Sequence, residues 1–167
     1  MDNTADDVLM GTEFTEIWIP LQYTQESMNQ LNKMFKDGGF EATGYFATEL
    51  YGGFKSSSWL SPSYTDGTDE YKDGTLRVDV FWFLNNEGSP NLNGGFYQQF
   101  WDLFKDASIP FRLHWGKFVP GYDFKFWADY YRTNLPKFDD FMKLRKKRDP
   151  HDIFYTKYWK LRFTGEE

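Results

Sequence analysis

The sequence contains no cysteine and only two histidines among 167 residues. The absence of cysteine excludes disulfide bonds, thiolate metal sites and cysteine nucleophiles. Neither histidine stands in a metal-ligand spacing such as HxxxH, so no metal site is predicted. No run of about 18 apolar residues occurs, and we therefore expect a soluble chain without a membrane-spanning segment. The first ten residues, MDNTADDVLM, lack the apolar stretch of a secretory signal. The compartment stays open, because a chain without cysteine suits either redox environment.

The chain also has no excess of positive charge, because its formal net charge is -6. Nucleic-acid-binding domains normally carry a basic face, so nucleic acid is not expected as a partner. The one basic cluster lies at positions 143–148. We interpret it as the solvated face of a helix.

Aromatic residues are unusually abundant, with 18 Phe, 11 Tyr and 7 Trp making up 22% of the chain. One interpretation is a core rich in aromatic side chains. The other is a surface built to meet a flat ring, a sugar or a partner domain, through which the free chain would self-associate. Composition alone leaves both open.

Hydrophobic periodicity predicts the element order β-α-β-β-α-β, which is typical of the ferredoxin-like α+β fold with an antiparallel sheet backed by helices. A helix from Asn134 to Arg148 and an aromatic C-terminal tail are predicted to extend it. Residues 1–12 are expected to be a flexible lead-in, and residues 13–167 a single domain. The predicted strands span 14–21, 42–51, 76–84 and 111–113, and the two helices run from Thr24 to the Gly38–Gly39 pair and over 94–107, the second capped by Asn93.

Two of the predicted strands carry residues that suit a site. Glu49 and Tyr51 share one face of their strand, and Asp79 and Phe81 share one face of theirs, because side chains alternate along a strand. If the two strands pair antiparallel with these faces aligned, the four side chains form one polar and aromatic floor. The alternative is a purely structural role, in which each carboxylate forms an ion pair with a neighbouring Lys or Arg.

The tetrapeptide HWGK, from His114 to Lys117, is the sharpest local motif. It places an imidazole and an ammonium three residues apart, separated by Trp115 and Gly116. Glycine permits backbone turns that other residues resist, so both cationic groups can point into one cleft. A histidine that follows a strand is also commonly a structural residue, and the motif alone does not decide between the two.

Five segments follow one another along the chain: TEIWIPL, WLSPSY, FRLHWGK, FDDFMKLRKKRDP and DIFYTKYW. In this order they resemble the C-terminal substrate (cap) domain of FAD-linked aldonolactone and alditol oxidases, over about Glu13 to Phe163. This family includes D-arabinono-1,4-lactone and L-gulonolactone oxidases, in the vanillyl-alcohol-oxidase superfamily. Its N-terminal domain binds FAD, and the cap covers the flavin and shapes the substrate pocket. No glycine-rich dinucleotide loop occurs here, so we expect the FAD-binding domain to be absent from this chain and the chain alone to be inactive.

The resemblance implies a reaction in which the flavin takes a hydride from a carbinol carbon of a sugar lactone or polyol while a base takes the hydroxyl proton. Lys117 matches the family's lysine and is the candidate for a cation near the flavin N1–C2 edge or for a contact to a substrate hydroxyl. His114 is expected to orient it or to contact the ring edge. Glu49 and Asp79 are the expected catalytic carboxylates. Substrate binding is expected at Tyr51, Phe81 and Trp115.

This sequence departs from the family at three of those positions. Tyr51 stands where the alditol enzymes have an arginine, which removes a bidentate anchor for polyol oxygens. Asp79 and Phe81 stand in the places of a histidine and a threonine, so a carboxylate is the only base candidate on that strand. Two other functions therefore stay open: a non-catalytic ferredoxin-like module that binds carbohydrate or protein, and a separate subunit whose flavin half is another chain.

Overall fold

The computed structural model describes residues 11–43 and 45–166. Most of the predicted flexible lead-in, residues 1–12, lies outside this part of the chain. Four strands form one antiparallel sheet in the order β2-β3-β1-β4, which confirms the predicted ferredoxin-like α+β fold. The strands are β1 (Thr12–Pro20), β2 (Tyr45–Gly53), β3 (Thr75–Phe83) and β4 (Arg112–Leu113). The helices are α1 (Thr24–Thr43), α2 (Phe96–Asp106), α3 (Phe124–Asn134), α4 (Phe138–Arg148) and α5 (Lys157–Thr164).

Alternation along the two central strands separates an apolar face from a polar one. Ile17 and Ile19 of β1 lie opposite Val78 and Leu76 of β3 in the register, and all four are buried. The helices cover this face, which we call the inner face. The residues between them point to the other side, which we call the outer face, and they include charged side chains.

The inner face is packed with aromatic rings from the helices. Trp101 of α2 and Trp127 of α3 are almost fully buried and meet edge to face, with centroids 5.7 Å apart. Phe100 and Phe104 of α2 are also fully buried. Much of the aromatic excess therefore belongs to the core, where each such ring contributes a large buried area.

Several predicted element boundaries were wrong. The strand predicted over 42–51 runs instead from Tyr45 to Gly53, because residues 42 and 43 still belong to helix α1. Helix α1 continues past the Gly38–Gly39 pair to Thr43, because a glycine inside a helix costs only about 1 kcal/mol and does not by itself end it. Asn93 does not cap α2. Gly94 adopts a φ of 80°, which breaks helical geometry there, and Gly95 becomes the N-cap.

The segment before α4 also differs from the prediction. Asn134 ends helix α3 rather than opening α4, which starts at Phe138. Helix α3 itself was not predicted; Asp123 begins it by accepting a hydrogen bond from the Phe126 backbone N–H. The aromatic tail ends in the short helix α5. Aromatic residues lie on several sides of these helices. The sequence therefore does not show the 3.6-residue hydrophobic period that predicts an amphipathic helix.

The long connection from Phe54 to Gly74 is tied to the sheet edge by a buried guanidinium. Arg112 of β4 donates from Nη1 to the carbonyl oxygen of Tyr64 and from Nε to that of Asn134, and it stacks on Tyr71 at 3.6 Å. These charge-assisted bonds hold the connection against the domain. Among the described residues, no helix is long and apolar enough to cross a membrane.

Candidate functional site

The HWGK segment forms a tight turn against the free edge of β1, directly after β4. The backbone N–H of His114 donates to the Glu16 carbonyl oxygen at 3.2 Å, and that of Phe118 donates to the Phe14 carbonyl oxygen at 3.1 Å. Between these two ladder bonds, the Lys117 N–H closes a turn onto the His114 carbonyl oxygen at 3.1 Å. The turn is thus hydrogen-bonded to β1 on both sides, and this fixes the position of the Lys117 backbone.

Gly116 is required in this turn for a different reason from the predicted one. It does not adopt a positive φ. A Cβ built on Gly116 would instead lie 3.1 Å from Cε1 of the His114 ring, which is closer than side chains normally pack. The absence of a side chain therefore leaves room for the imidazole.

The Lys117 side chain reaches the outer face of the sheet. Its Nζ lies 4.0 Å from the ring centroid of Phe14, and Phe14 stacks on Phe81 with centroids 4.5 Å apart. Phe14 is two residues from Glu16 on β1 and so shares its face. Among the residues that the structure describes, no carboxylate lies within ion-pair distance of this ammonium. The lysine is held by a cation–π contact and is not neutralised by a carboxylate.

Three carboxylates stand side by side across the outer face. Glu16, Asp79 and Glu49 occupy adjacent positions in the register of β1, β3 and β2. Asp79 and Glu16 are almost fully buried, with exposed fractions of 0% and 2%, whereas Glu49 is exposed. Burial raises the pKa of Asp79 to about 6, and the neighbouring Glu16 and Glu49 charges act in the same direction against the opposing effect of Arg77.

One guanidinium lies in the next row of the same face. Nε of Arg77 donates to both carboxylate oxygens of Asp79 at 3.0 Å, and it approaches Glu16 at 3.7 Å. The guanidinium also lies 4.4 Å from the ring of Tyr51 and 6.0 Å from that of Trp18. Arg77 is therefore oriented by ionic contacts and flanked by aromatic rings.

Tyr51 and Glu49 are linked to each other on this face. The Tyr51 hydroxyl donates to Glu49 at 2.8 Å, and this bond raises the pKa of the tyrosine. The resemblance predicted that Tyr51 replaces an arginine, and Arg77 brings a guanidinium to the same face from the neighbouring strand. Sequence reasoning missed Arg77, Glu16 and Trp18 as site residues. Arg77 could have been found, since it lies two residues from Asp79 and must share its face.

Trp115 lies apart from this group, whereas the backbone of His114 pairs with that of Glu16 on β1. The Trp115 ring meets Tyr131 and Phe163 edge to face at 5.0 and 5.3 Å, and its Nε1 donates to the Leu60 carbonyl oxygen at 2.8 Å. These neighbours belong to the C-terminal helices and the long connection. His114 is half-buried, and its Nδ1 is buried without a hydrogen-bond partner within the described part of the chain.

A cavity of about 430 Å³ lies next to Lys117. Phe14, Asn91, Lys117, Tyr158 and Arg162 are among its lining residues. Two of them keep a buried polar atom with no hydrogen-bond partner in residues 11–43 and 45–166: Oδ1 of Asn91 and Nε of Arg162. Arg162 and Asn91 thus bring one unused donor and one unused acceptor, both buried, to the wall of the cavity. Among the described side chains, no group of three or more His, Asp or Glu residues is placed to hold a metal ion.

Comparison with known proteins gives one clear match. A family model described as D-arabinono-1,4-lactone oxidase matches residues 7–161, which is most of the chain. The matched range includes the carboxylate row, Arg77 and the HWGK turn. A search of curated proteins found no match.

Proposed function

Because the chain belongs to the D-arabinono-1,4-lactone oxidase family, we propose that it is the substrate-binding (cap) portion of an FAD-dependent oxidoreductase. The proposed reaction oxidises a CH–OH group of a sugar lactone or a polyol-like substrate. When bound, the flavin supplies the hydride acceptor for this reaction. We propose that FAD is held mainly by a binding domain or subunit outside this chain, which makes that domain the chain's partner and leaves the chain alone inactive.

The observation that carries the proposal is the position of Lys117. Its ammonium stands over the stacked Phe14 and Phe81 rings, without a carboxylate partner among the described residues, on the face that also bears the carboxylate row. A fixed cation in a partly desolvated place stabilises negative charge that develops beside it. We propose that Lys117 supplies this charge at the N1–C2 edge of the flavin ring.

The residues around Lys117 fit a flavin ring chemically. Phe14 offers a flat apolar surface, and the unpartnered polar atoms of Asn91 and Arg162 offer hydrogen bonds in the same cavity. The unpartnered Nδ1 of His114 supports the expectation that the imidazole contacts a ligand or orients the turn that carries Lys117. The neighbours of Trp115 support a role in fixing that turn in addition to the predicted one in substrate binding.

The remaining outer-face residues are proposed to hold the substrate. Glu49 is exposed, so its carboxylate can accept the proton of the substrate hydroxyl. Asp79 is fully buried and both its oxygens accept from Arg77, so we propose that it acts by orienting that guanidinium towards the polyol oxygens. Tyr51 and Phe81 present rings that suit the apolar face of a sugar.

The test measures flavin reduction by the substrate in the flavin-loaded enzyme that contains this chain. Lys117→Met should slow the reductive half-reaction by about 10²-fold or more, the usual size for the loss of one electrostatic stabiliser. Lys105→Met is the matched control, because Lys105 also lies over an aromatic ring, Phe126, but outside the Lys117 cavity. Equal rates for the Lys117 and Lys105 variants would contradict the proposal.

A second measurement addresses the isolated chain. We expect it to be colourless after purification and to oxidise no sugar lactone or polyol. Tightly bound flavin, visible as an absorbance band near the flavin maximum, would show that the chain holds its own cofactor.

One observation favours the alternative of a non-catalytic binding module. Phe54 is 95% exposed and Tyr51 is 45% exposed, as in surfaces that stack on sugars or on a partner. Calorimetric titration of the isolated chain with lactones and alditols separates the two functions. Tight sugar binding without flavin, together with an unaffected Lys117→Met enzyme, would favour the binding module.

A further inference from the structure

We propose that Arg162 and Asn91 act with Lys117 as the residues of this chain that hold the hydrogen-bonding edge of the flavin ring. This inference rests on the proposed function, because it assumes that a flavin reaches the cavity beside Lys117. It adds two residues that neither the sequence motifs nor the family resemblance indicates.

Arg162 is stacked but incompletely hydrogen-bonded. Its guanidinium lies 3.5 Å from the ring of Tyr158 and 5.6 Å from that of Phe124, and Nη1 donates to the Tyr158 carbonyl oxygen at 3.4 Å. Nε is buried and has no partner, and no carboxylate within the described ranges lies within ion-pair distance. An arginine that is oriented by two rings, without a described carboxylate partner, keeps its positive charge for an acceptor that enters the cavity it lines.

Asn91 supplies the complementary group from another part of the chain. It precedes α2, while Arg162 lies on α5 and Lys117 in the HWGK turn, so three separate elements meet at one cavity. Its Oδ1 is buried and accepts no hydrogen bond from any described residue. A buried amide oxygen without a partner is unfavourable, and a ligand donor that reached it would remove this cost.

The set of unused groups selects among ligands. Lys117 and Arg162 donate and Asn91 accepts, so a complementary ligand offers acceptors together with an N–H donor. A planar ring edge with a carbonyl, an imide N–H and a second carbonyl has this pattern, and the flavin pyrimidine ring is such an edge. The dianion of a phosphate monoester would satisfy the two cations but has no proton to give to Asn91. Phe14 and Tyr158 add aromatic walls, and Glu13 is the one carboxylate among the residues that line the cavity.

The experiment uses the flavin-loaded enzyme and sulfite as the probe, since sulfite adds to oxidised flavin more tightly when positive charge lies near the N1–C2 edge. Arg162→Gln should weaken sulfite binding about tenfold, which for a two-electron equilibrium corresponds to a midpoint potential about 30 mV more negative. Arg162→Lys should recover part of the loss. Asn91→Leu should shift the visible flavin spectrum and weaken sulfite binding by a smaller factor.

Arg132→Gln is the matched control, because Arg132 also lies over a ring, Phe138, but pairs with Asp129 and Asp139 outside the cavity. If Lys117→Met changes sulfite affinity and potential while Arg162→Gln and Asn91→Leu match the control, this inference is wrong and the proposed function stands. If Lys117→Met matches the control as well, the proposed function itself fails. Should Arg162→Gln not fold, Arg162→Lys and Asn91→Leu decide the question.

Discussion

The two faces of the sheet come from the same strands and have opposite chemistry. On β1, Ile17 and Ile19 are buried under the helices, while the alternating residues Glu16 and Trp18 point to the outer face. The inner face consists of buried aliphatic side chains and aromatic rings. The outer face carries the carboxylates of Glu16, Asp79 and Glu49, the Arg77 guanidinium, and the Lys117 ammonium, which has no carboxylate partner among the described residues.

The difference indicates what each face is for. Apolar burial on the inner face stabilises the fold directly, at about 25 cal/mol per Å². Burying Glu16 and Asp79 on the outer face does the opposite, because the cost of desolvating a carboxylate often exceeds what its partner returns. A protein that keeps such a row loses stability there, so the outer face is the better candidate for function.

The largest effect should come from the inner face. Trp101→Ala should lower the free energy of unfolding by about 3–5 kcal/mol, because it removes a fully buried ring and leaves a cavity. Phe81→Ala is the matched change on the outer face, where the ring is only partly buried, and should cost clearly less. Urea denaturation of both variants measures the difference. Equal losses would mean that the outer face is also part of the core.

The pH dependence of stability tests the outer face. Because the pKa of Asp79 is raised to about 6, the folded state binds its proton more tightly than the unfolded state does. Its contribution therefore favours folding at low pH and is lost as the pH rises from about 4 to about 6. The free energy of unfolding of the wild type minus that of Asp79→Asn should fall by about 2–4 kcal/mol over this range. A difference that grows with pH would show that Arg77 holds the carboxylate ionised.

The smallest effect on stability should come from an exposed ring. Phe54 is 95% exposed, and Phe54→Ser should change the free energy of unfolding by less than about 0.5 kcal/mol. The same change should weaken self-association of the free chain, measured by sedimentation equilibrium at high concentration. A wild-type chain that stays monomeric there would remove the reason to assign this ring to an interface.

The sequence predicted the sheet better than the helices. In the middle of β1 and β3, inner-face residues such as Ile17 and Val78 alternate with outer-face residues such as Glu16 and Asp79. The bounds of both strands were predicted to within a few residues. The glycines misled, because Gly38 and Gly39 lie inside α1, whereas Gly94 ends the approach to α2 with a positive φ. The presence of a glycine in the sequence does not show which backbone conformation it adopts in the folded protein.

The candidate site could be predicted from the sequence only in part. Glu49, Tyr51, Asp79 and Phe81 follow from strand alternation, and Lys117 from the family motif. Asn91 and Arg162 could not be found, because only folding brings a loop before α2 and the last helix to the turn at Lys117. Their signal is a pair of unpartnered buried atoms, which exists only in three dimensions.

The strand order also has a consequence for how the chain is made. Strand β1 lies in the middle of the sheet, yet its neighbours come much later in the sequence: Glu16 pairs with Asp79 and Ile17 with Leu113. On the ribosome, both edges of β1 therefore wait for partners while β2 and the long connection are synthesised. Such non-local pairing slows folding and prolongs the time in which apolar strands are open to wrong contacts. We expect yields of the intact protein to depend on chaperones and on growth temperature.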